Sequence, residues 1–312
     1  MKRVLVTGAT GFIGRWTLPR LVAQGYEVHA LSRRGGGAAG PPEVRWETLD
    51  LLDPATAGEL IERISPTHLL HLAWYAEPGK FWHSPENLRW VEASLRLLRA
   101  FAAGGGERVL AAGTCAEYEW QARVRCLEDE TPCRPATVYG ASKHGLHLIA
   151  QKFAEREGLS LAWGRIFFVF GPGEHPQRLG GGAARALARG EPAELSHGRQ
   201  VRDFLYSEDL ADAFVAVLDS GVEGAVNLAS GQATTIRELV EALALAAGRP
   251  DLPRFGARDP APGEPAALTA DVTRLREQVG WTPPASLQER ARDTIAWWRT
   301  QLTGDDQRQG PA

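Results

Sequence analysis

The stretch Val4-Leu5-Val6-Thr7-Gly8-Ala9-Thr10-Gly11-Phe12-Ile13-Gly14 sets a short apolar run against glycines spaced G-x-x-G-x-x-G, and an amphipathic segment follows. The order is strand, tight turn, helix start. Glycine lets the backbone turn sharply and lets a phosphate come close to it, while the free N–H groups and dipole of a helix N-terminus favour negative charge. A dinucleotide pyrophosphate suits such a turn, although the first glycine stands one residue earlier than in the best-known G-x-G-x-x-G version. A glycine-rich turn without a ligand gives the same local pattern.

The rest of the chain repeats the switch of period. Apolar residues keep helical spacing from Phe12 to Val22, Gly25 ends them, and 27–31 alternates as a strand. Strands are predicted near 44–49, 67–72, 108–112 and 160–166, and helices near 54–64, 85–103 and 138–157. This alternation implies an α/β fold, a doubly wound parallel sheet in which right-handed crossovers bring every strand's C-terminal end to one ligand-binding rim. Beyond Gly171-Pro172-Gly173 and Gly180-Gly181-Gly182 the order loosens, with helices near 183–188, 207–218, 235–247 and 287–302 and strands near 201–205 and 225–228. A chain of 312 residues is long for one core. We expect a dinucleotide-binding domain over 1–170, with returning segments at about 201–228, and a smaller C-terminal α/β substrate lobe from 171–200 and 229–312. The stretches 34–42 and 250–265 read as loops and 304–312 as a frayed polar tail.

A formal charge of -3 with no basic block argues against nucleic acid or an anionic membrane as partner. No apolar run approaches a membrane span, and Met1-Lys2-Arg3 leads straight into a strand, so the cytoplasm is the expected compartment. Cys115, Cys126 and Cys133 form no C-x-x-C pair and read as reduced thiols, with no metal site among them.

Tyr139 and Lys143 stand four apart in a predicted helix and project from one face. A phenol titrates near pH 10, and an adjacent cation lowers that by roughly 1 to 3 units, which makes it a usable acid or base. Thr114, just past the strand near 108–112, lies at the ligand rim, where its hydroxyl can meet a carbonyl or alcohol held by Tyr139. Turn, rim hydroxyl and Tyr-Lys helix occur in that order along the chain.

These residues resemble the extended short-chain dehydrogenase/reductases, the epimerase/dehydratase group that contains nucleotide-sugar epimerases, dehydratases and ketoreductases. The resemblance extends to Asp50-Leu51, His71-Leu72-Ala73, Arg165 with Gly171-Pro172-Gly173, Arg202-Asp203-Phe204 before Ser207-Glu208-Asp209-Leu210, Asn227-Leu228-Ala229-Ser230-Gly231, and Gly280-Trp281-Thr282-Pro283. It implies a Rossmann fold and hydride transfer at a sugar carbon. Tyr139 is then the proton donor or acceptor, Lys143 lowers its pKa and holds the nicotinamide ribose, and Thr114 orients the carbonyl. The implied cofactor contacts are Gly8, Thr10, Gly11, Phe12, Ile13, Gly14, Ser32, Arg33, Arg34, Asp50, Leu51, Leu72, Ala73, Trp74, Tyr139, Lys143 and Phe167. The implied substrate contacts are Trp74, Thr114, Cys115, Phe168 and Arg202, the last on a sugar-nucleotide diphosphate; the other reading of Arg202 is a salt bridge to Asp203 or Glu208. A homodimer through the helices near 85–103 and 138–157 is implied by the resemblance alone.

Departures from the family pattern refine this. Ser32, followed by Arg33 and Arg34, stands where an acidic residue would bond the adenosine ribose, which favours NADP over NAD. Cys115 and Ala116 replace the Asp-Glu of the dehydratases, so elimination of water lacks its proton shuttles. Phe168 replaces a frequent Asn, and Pro260-Ala261 stands near where an arginine pair is usual, with Arg258 slightly upstream. Trp74-Tyr75 and Trp82-His83 either shape the cleft or pack under a loop. His144 and His147 lack further ligands in evident reach and read as a solvated or interface face. The expected activity is NADP(H)-dependent reduction of a 4-keto nucleotide sugar. The alternatives are a 4-epimerase with bound NAD, a reductase of a small carbonyl compound without nucleotide, and a silent NADP-binding scaffold.

Overall fold

The structure is a computed structural model that describes residues 2–36, 40–260 and 263–308, so Ala261 and the last four residues lie outside the described residues. In chain order the first half comprises β1 (Arg3–Thr7), α1 (Gly14–Ala23), β2 (Glu27–Ser32), β3 (Arg45–Thr48), α2 (Thr56–Ile64), β4 (His68–His71), α3 (Glu86–Ala103), β5 (Arg108–Thr114), β6 (Arg125–Cys126) and α4 (Val138–Glu157). The second comprises β7 (Ser160–Ile166), β8 (Phe168–Phe170), α5 (Leu179–Arg189), β9 (Ala193–Leu195), β10 (Val201–Tyr206), α6 (Ser207–Asp219), β11 (Gly224–Leu228), β12 (Ala233–Thr235), α7 (Ile236–Ala246), β13 (Pro253–Phe255), β14 (Ala267–Ala270), α8 (Thr273–Glu277) and α9 (Leu287–Arg308).

Seven of these strands form one parallel sheet in the order β11-β7-β5-β4-β1-β2-β3. Its central strands β1 and β5 are buried, mostly apolar runs because both faces are covered. Val4, Val6, Leu70 and Leu110 pack on one side with Leu18 and Leu21 of α1 and Leu210 and Phe214 of α6. Leu5, Leu69 and Val109 pack on the other with α2, α3 and α4 through Leu60, Leu97 and Ala150. The doubly wound Rossmann arrangement is therefore present, and Thr7, Ser32, His71 and Thr114 end their strands on one rim.

The second sheet runs β12-β10-β14-β6, with β8 also paired to β10. Phe167 is the single residue between β7 in the first sheet and β8 in the second. Helices α5, α7 and α9 cover this lobe around Leu187, Leu239, Leu243 and Ile295. The stretch expected to return to the first domain, 201–228, divides: β10 joins the second sheet, while α6 and β11 go to the first. Two local expectations also change. The 250–265 stretch contains β13, which pairs with β9, and the last helix continues through 304–308. Strands of two to four residues, such as β6, β8 and β14, are too short to leave a period-2 signal.

At the β11 edge, Asn227 N–H donates to the Glu128 carboxylate at 2.9 Å and the Arg274 guanidinium donates to Ala225 C=O at 2.7 Å. Side chains thus occupy backbone groups that a further strand would use.

Candidate active site

The glycine turn is built as its spacing requires. Gly8 has φ +70°, and a Cβ there would stand 2.7 Å from Ala73 N, so the turn lies directly against the end of β4. A Cβ on Gly14 would come within 2.1 Å of Gly8 C=O, which closes helix α1 onto the strand before it. Helix α1 starts with no side-chain cap and no acidic residue in its first turn, whereas α4 and α7 are capped by Thr137 and Thr235. An uncapped N-terminus behind a glycine cradle fits a pyrophosphate. Arg15 stands at the same mouth, its guanidinium donating to Gly11 C=O and lying 3.1 Å from a Cβ placed on Gly173.

At the end of β2 the Ser32 hydroxyl donates to Gly35 C=O at 3.1 Å and accepts from Arg34 N–H, folding the turn back on itself. Arg33 and Arg34 are exposed and make no ion pair among the described residues. Asp50 is exposed and Leu51 buried. Leu72 and Ala73 are tied to β1 through Thr7, and Phe167 turns its ring into the interior beside Tyr118.

The structure brings Thr114, Tyr139 and Lys143 together. Thr114 is the last residue of β5, which runs two residues further than expected; its hydroxyl accepts from Ala116 N–H, capping a short 3-10 turn. Burial pushes the Tyr139 phenol up to about 12, with a hydrogen bond to Thr114 pulling it back. The expected lowering by Lys143 is absent, because the lysine Nζ is directed elsewhere: it donates to Ala112 C=O at 2.8 Å and lies 3.7 Å from the centre of the Trp74 ring. Burial brings Lys143 down to about 7, with Glu117 acting to raise it. Tyr139 is thus a loaded acid at neutral pH. Phe81 and Trp82 pack edge-on against its ring at 4.9 and 5.8 Å, and Trp120 meets Trp82 at 6.2 Å. Trp82 therefore sits beside Tyr139 and does not simply pack under a loop. Cys115 is buried and its thiol is pushed up by burial.

Arg202 and Phe168 meet across the second sheet, the guanidinium 5.1 Å from the ring centre. The ion-pair partner of Arg202 is neither Asp203 nor Glu208 but Glu264, at 2.6 Å. Asp203 instead accepts from Ser230 N–H and hydroxyl and from Gly231 N–H, fixing the turn after β11. Arg258 pairs with Glu194 on the surface.

Sequence reasoning missed Glu117 as an organising residue. Its carboxylate, fully buried, accepts from Thr114 N–H at 2.8 Å, Trp163 Nε1 at 2.8 Å and Arg165 Nε at 3.0 Å. The S/T-x-x-E spacing of Thr114 and Glu117 was the available signal. His144 and His147 approach the same carboxylate at 4.0 and 3.9 Å. Arg165 already occupies that oxygen and repels a divalent cation there, so the trio does not fit a metal centre. Arg15 and Glu264 were also missed; a basic residue directly after the third glycine was the signal for the first.

A model of the NAD dependent epimerase/dehydratase family matches residues 4–229. The chain is 32% identical to the dTDP-6-deoxy-L-talose 4-dehydrogenase (NAD(P)(+)) of Kitasatospora kifunensis, covering 96% of each protein. It is 28% identical to the UDP-glucose 4-epimerase of Mycolicibacterium smegmatis, over 95% of this chain and 98% of that one. The crystal structure of Thermus thermophilus UDP-glucose 4-epimerase in complex with NAD superposes with a TM-score of 0.80 at 29% identity, covering 95% of this chain and 99% of that chain.

Proposed function

The chain belongs to the NAD dependent epimerase/dehydratase family, enzymes of the extended short-chain dehydrogenase/reductase type, and from that premise we propose that it reduces a 4-keto nucleoside-diphosphate sugar with NADP(H). The observation that carries this reading is the end of β2, where Ser32 stands in place of an acidic residue and is followed by two exposed arginines, Arg33 and Arg34, whose guanidinium groups suit a 2′-phosphate. The uncapped start of α1 would hold the pyrophosphate, and Lys143 would hold the nicotinamide ribose. When bound, the nicotinamide supplies the hydride. Thr114 orients the keto oxygen, Tyr139 gives it a proton, and the charge of Lys143 stabilises the developing alkoxide. A phenol protonated at neutral pH is the state that a reduction needs. Arg202, released from Glu264, would take the substrate diphosphate. Pairing of two copies through α3 and α4 is supported by Leu88, Leu148 and Ile149, each at least half exposed.

A second reading, a 4-epimerase holding NAD, is favoured by the likeness to UDP-glucose 4-epimerases. One experiment separates the two. Denatured protein is assayed for released nucleotide, and native protein is titrated with NADPH and NADH. NADPH binding tighter than NADH with nothing released supports the reductase; NAD released in stoichiometric amount replaces it with the epimerase. In either case Tyr139→Phe lowers kcat about 100- to 10,000-fold while leaving nucleotide affinity intact, measured by steady-state kinetics and titration.

A further inference from the structure

The chain has four lysines, Lys2, Lys80, Lys143 and Lys152, and only Lys143 is buried. An ammonium taken out of water needs a partner. Among the described residues no carboxylate stands within ion-pair distance of Lys143; its single hydrogen bond goes to Ala112 C=O. The face of Trp74, 3.7 Å from Nζ to the ring centre, fills that role. The indole is held in place. Its Nε1 donates to Asn87 Oδ1 at 2.9 Å, and Asn87, itself fully buried, donates to Phe81 C=O and Ser84 C=O. Trp90 packs beside it, with ring centres 6.3 Å apart.

We propose that Trp74 is a positioning residue for the catalytic lysine: its ring, fixed by Asn87, holds the Lys143 ammonium charged and in place where a carboxylate otherwise would. This rests on the role given to Lys143 above.

Few other groups compete for that task. Glu117, on the turn after β5, favours the ammonium from a distance but is committed to Thr114, Trp163 and Arg165. His71 of β4 is held between Thr7 and Ser94, and burial, then Lys143, brings it down to about 3, so it is neutral. On the lysine's own helix Tyr139 is protonated, and burial lowers both His144 and His147. The interior between α3, α4 and the sheet supplies Ser94, Leu97 and Leu146.

The sign follows. Burial lowers Lys143 and the ring opposes burial, so removing the ring lowers it further. The charged form, and with it activity, is then lost at lower pH as pH rises. Because there are only four lysines, protein labelled with 13Cε-lysine gives a countable NMR spectrum, and Lys143→Arg assigns the signal of interest. Trp74→Leu should move the Lys143 titration down by about 0.5 to 1.5 pH units, with the other lysines unmoved and the basic limb of kcat shifted alongside. Trp74→Phe should recover at least half of the shift. An unmoved titration in folded Trp74→Leu overturns the proposal; if that variant does not fold, an unmoved titration in the bulkier non-aromatic Trp74→Met does so. A shifted lysine in a protein that turns over no keto-sugar nucleotide defeats the functional reading and leaves this one standing. Turnover with an unshifted lysine does the reverse.

Discussion

Arg165 and Arg202 are both buried, and they are held differently. Arg165 on β7 donates to Glu117, and the side chains of both are sealed, at 4% and 0% exposure. Arg202 on β10 is equally buried, but its carboxylate comes from Glu264 on a loop and remains 27% exposed. Both members of the first pair are committed further: Glu117 also holds Thr114 and Trp163, and Arg165 also donates to Tyr118 hydroxyl and Glu128 C=O. Burial acts against the Arg165 charge, yet Glu117 and Tyr118 more than offset it, and its pKa ends raised. The second pair has water on one side. A charge pair with a closed shell is architecture; one with a solvent-facing partner can exchange that partner for a ligand anion.

That contrast can be broken by substitution. Arg165→Met strands the buried Glu117 carboxylate, and we expect a stability loss of about 3–5 kcal/mol, read as a lower denaturation midpoint. It should also blur the placement of Thr114, since both hang on Glu117. Arg202→Met should cost less stability and act instead on substrate, raising KM for a nucleotide sugar about 10- to 100-fold with kcat little changed. Equal stability losses in the two variants would erase the distinction drawn here. Glu264→Gln is the smallest change. Gln keeps an oxygen acceptor for the guanidinium and this side of the pair is open to solvent, so stability should fall less than in Arg165→Met while KM for an anionic substrate falls modestly.

The same contrast explains what could be read from the sequence. The glycine turn, the Tyr139–Lys143 spacing and Thr114 are local patterns, and the long parallel strands announce themselves by apolar runs. Glu264 meets Arg202 from 62 positions away, through a loop whose composition says only that it is irregular. No periodicity could bring those two together. The pKa direction at Tyr139 is hidden from the sequence for a related reason: the spacing places the lysine on the right face but cannot tell how deeply the phenol is buried, or that an indole and a carbonyl claim the ammonium first. Glu117 was visible as a residue and hidden as a role. Its importance lies in Trp163 and Arg165, contributed by a strand that begins more than forty positions later.

The guarded edge at β11 has a consequence for how the molecule fails. Aggregation by strand addition needs a row of free N–H and C=O groups, and here the Glu128 carboxylate and the Arg274 guanidinium occupy part of that row. A partly opened copy arriving at this end of the sheet meets side chains where it needs a template. Heating or crowding therefore has to dislodge the 128 loop or α8 before this end of the sheet can seed a polymer.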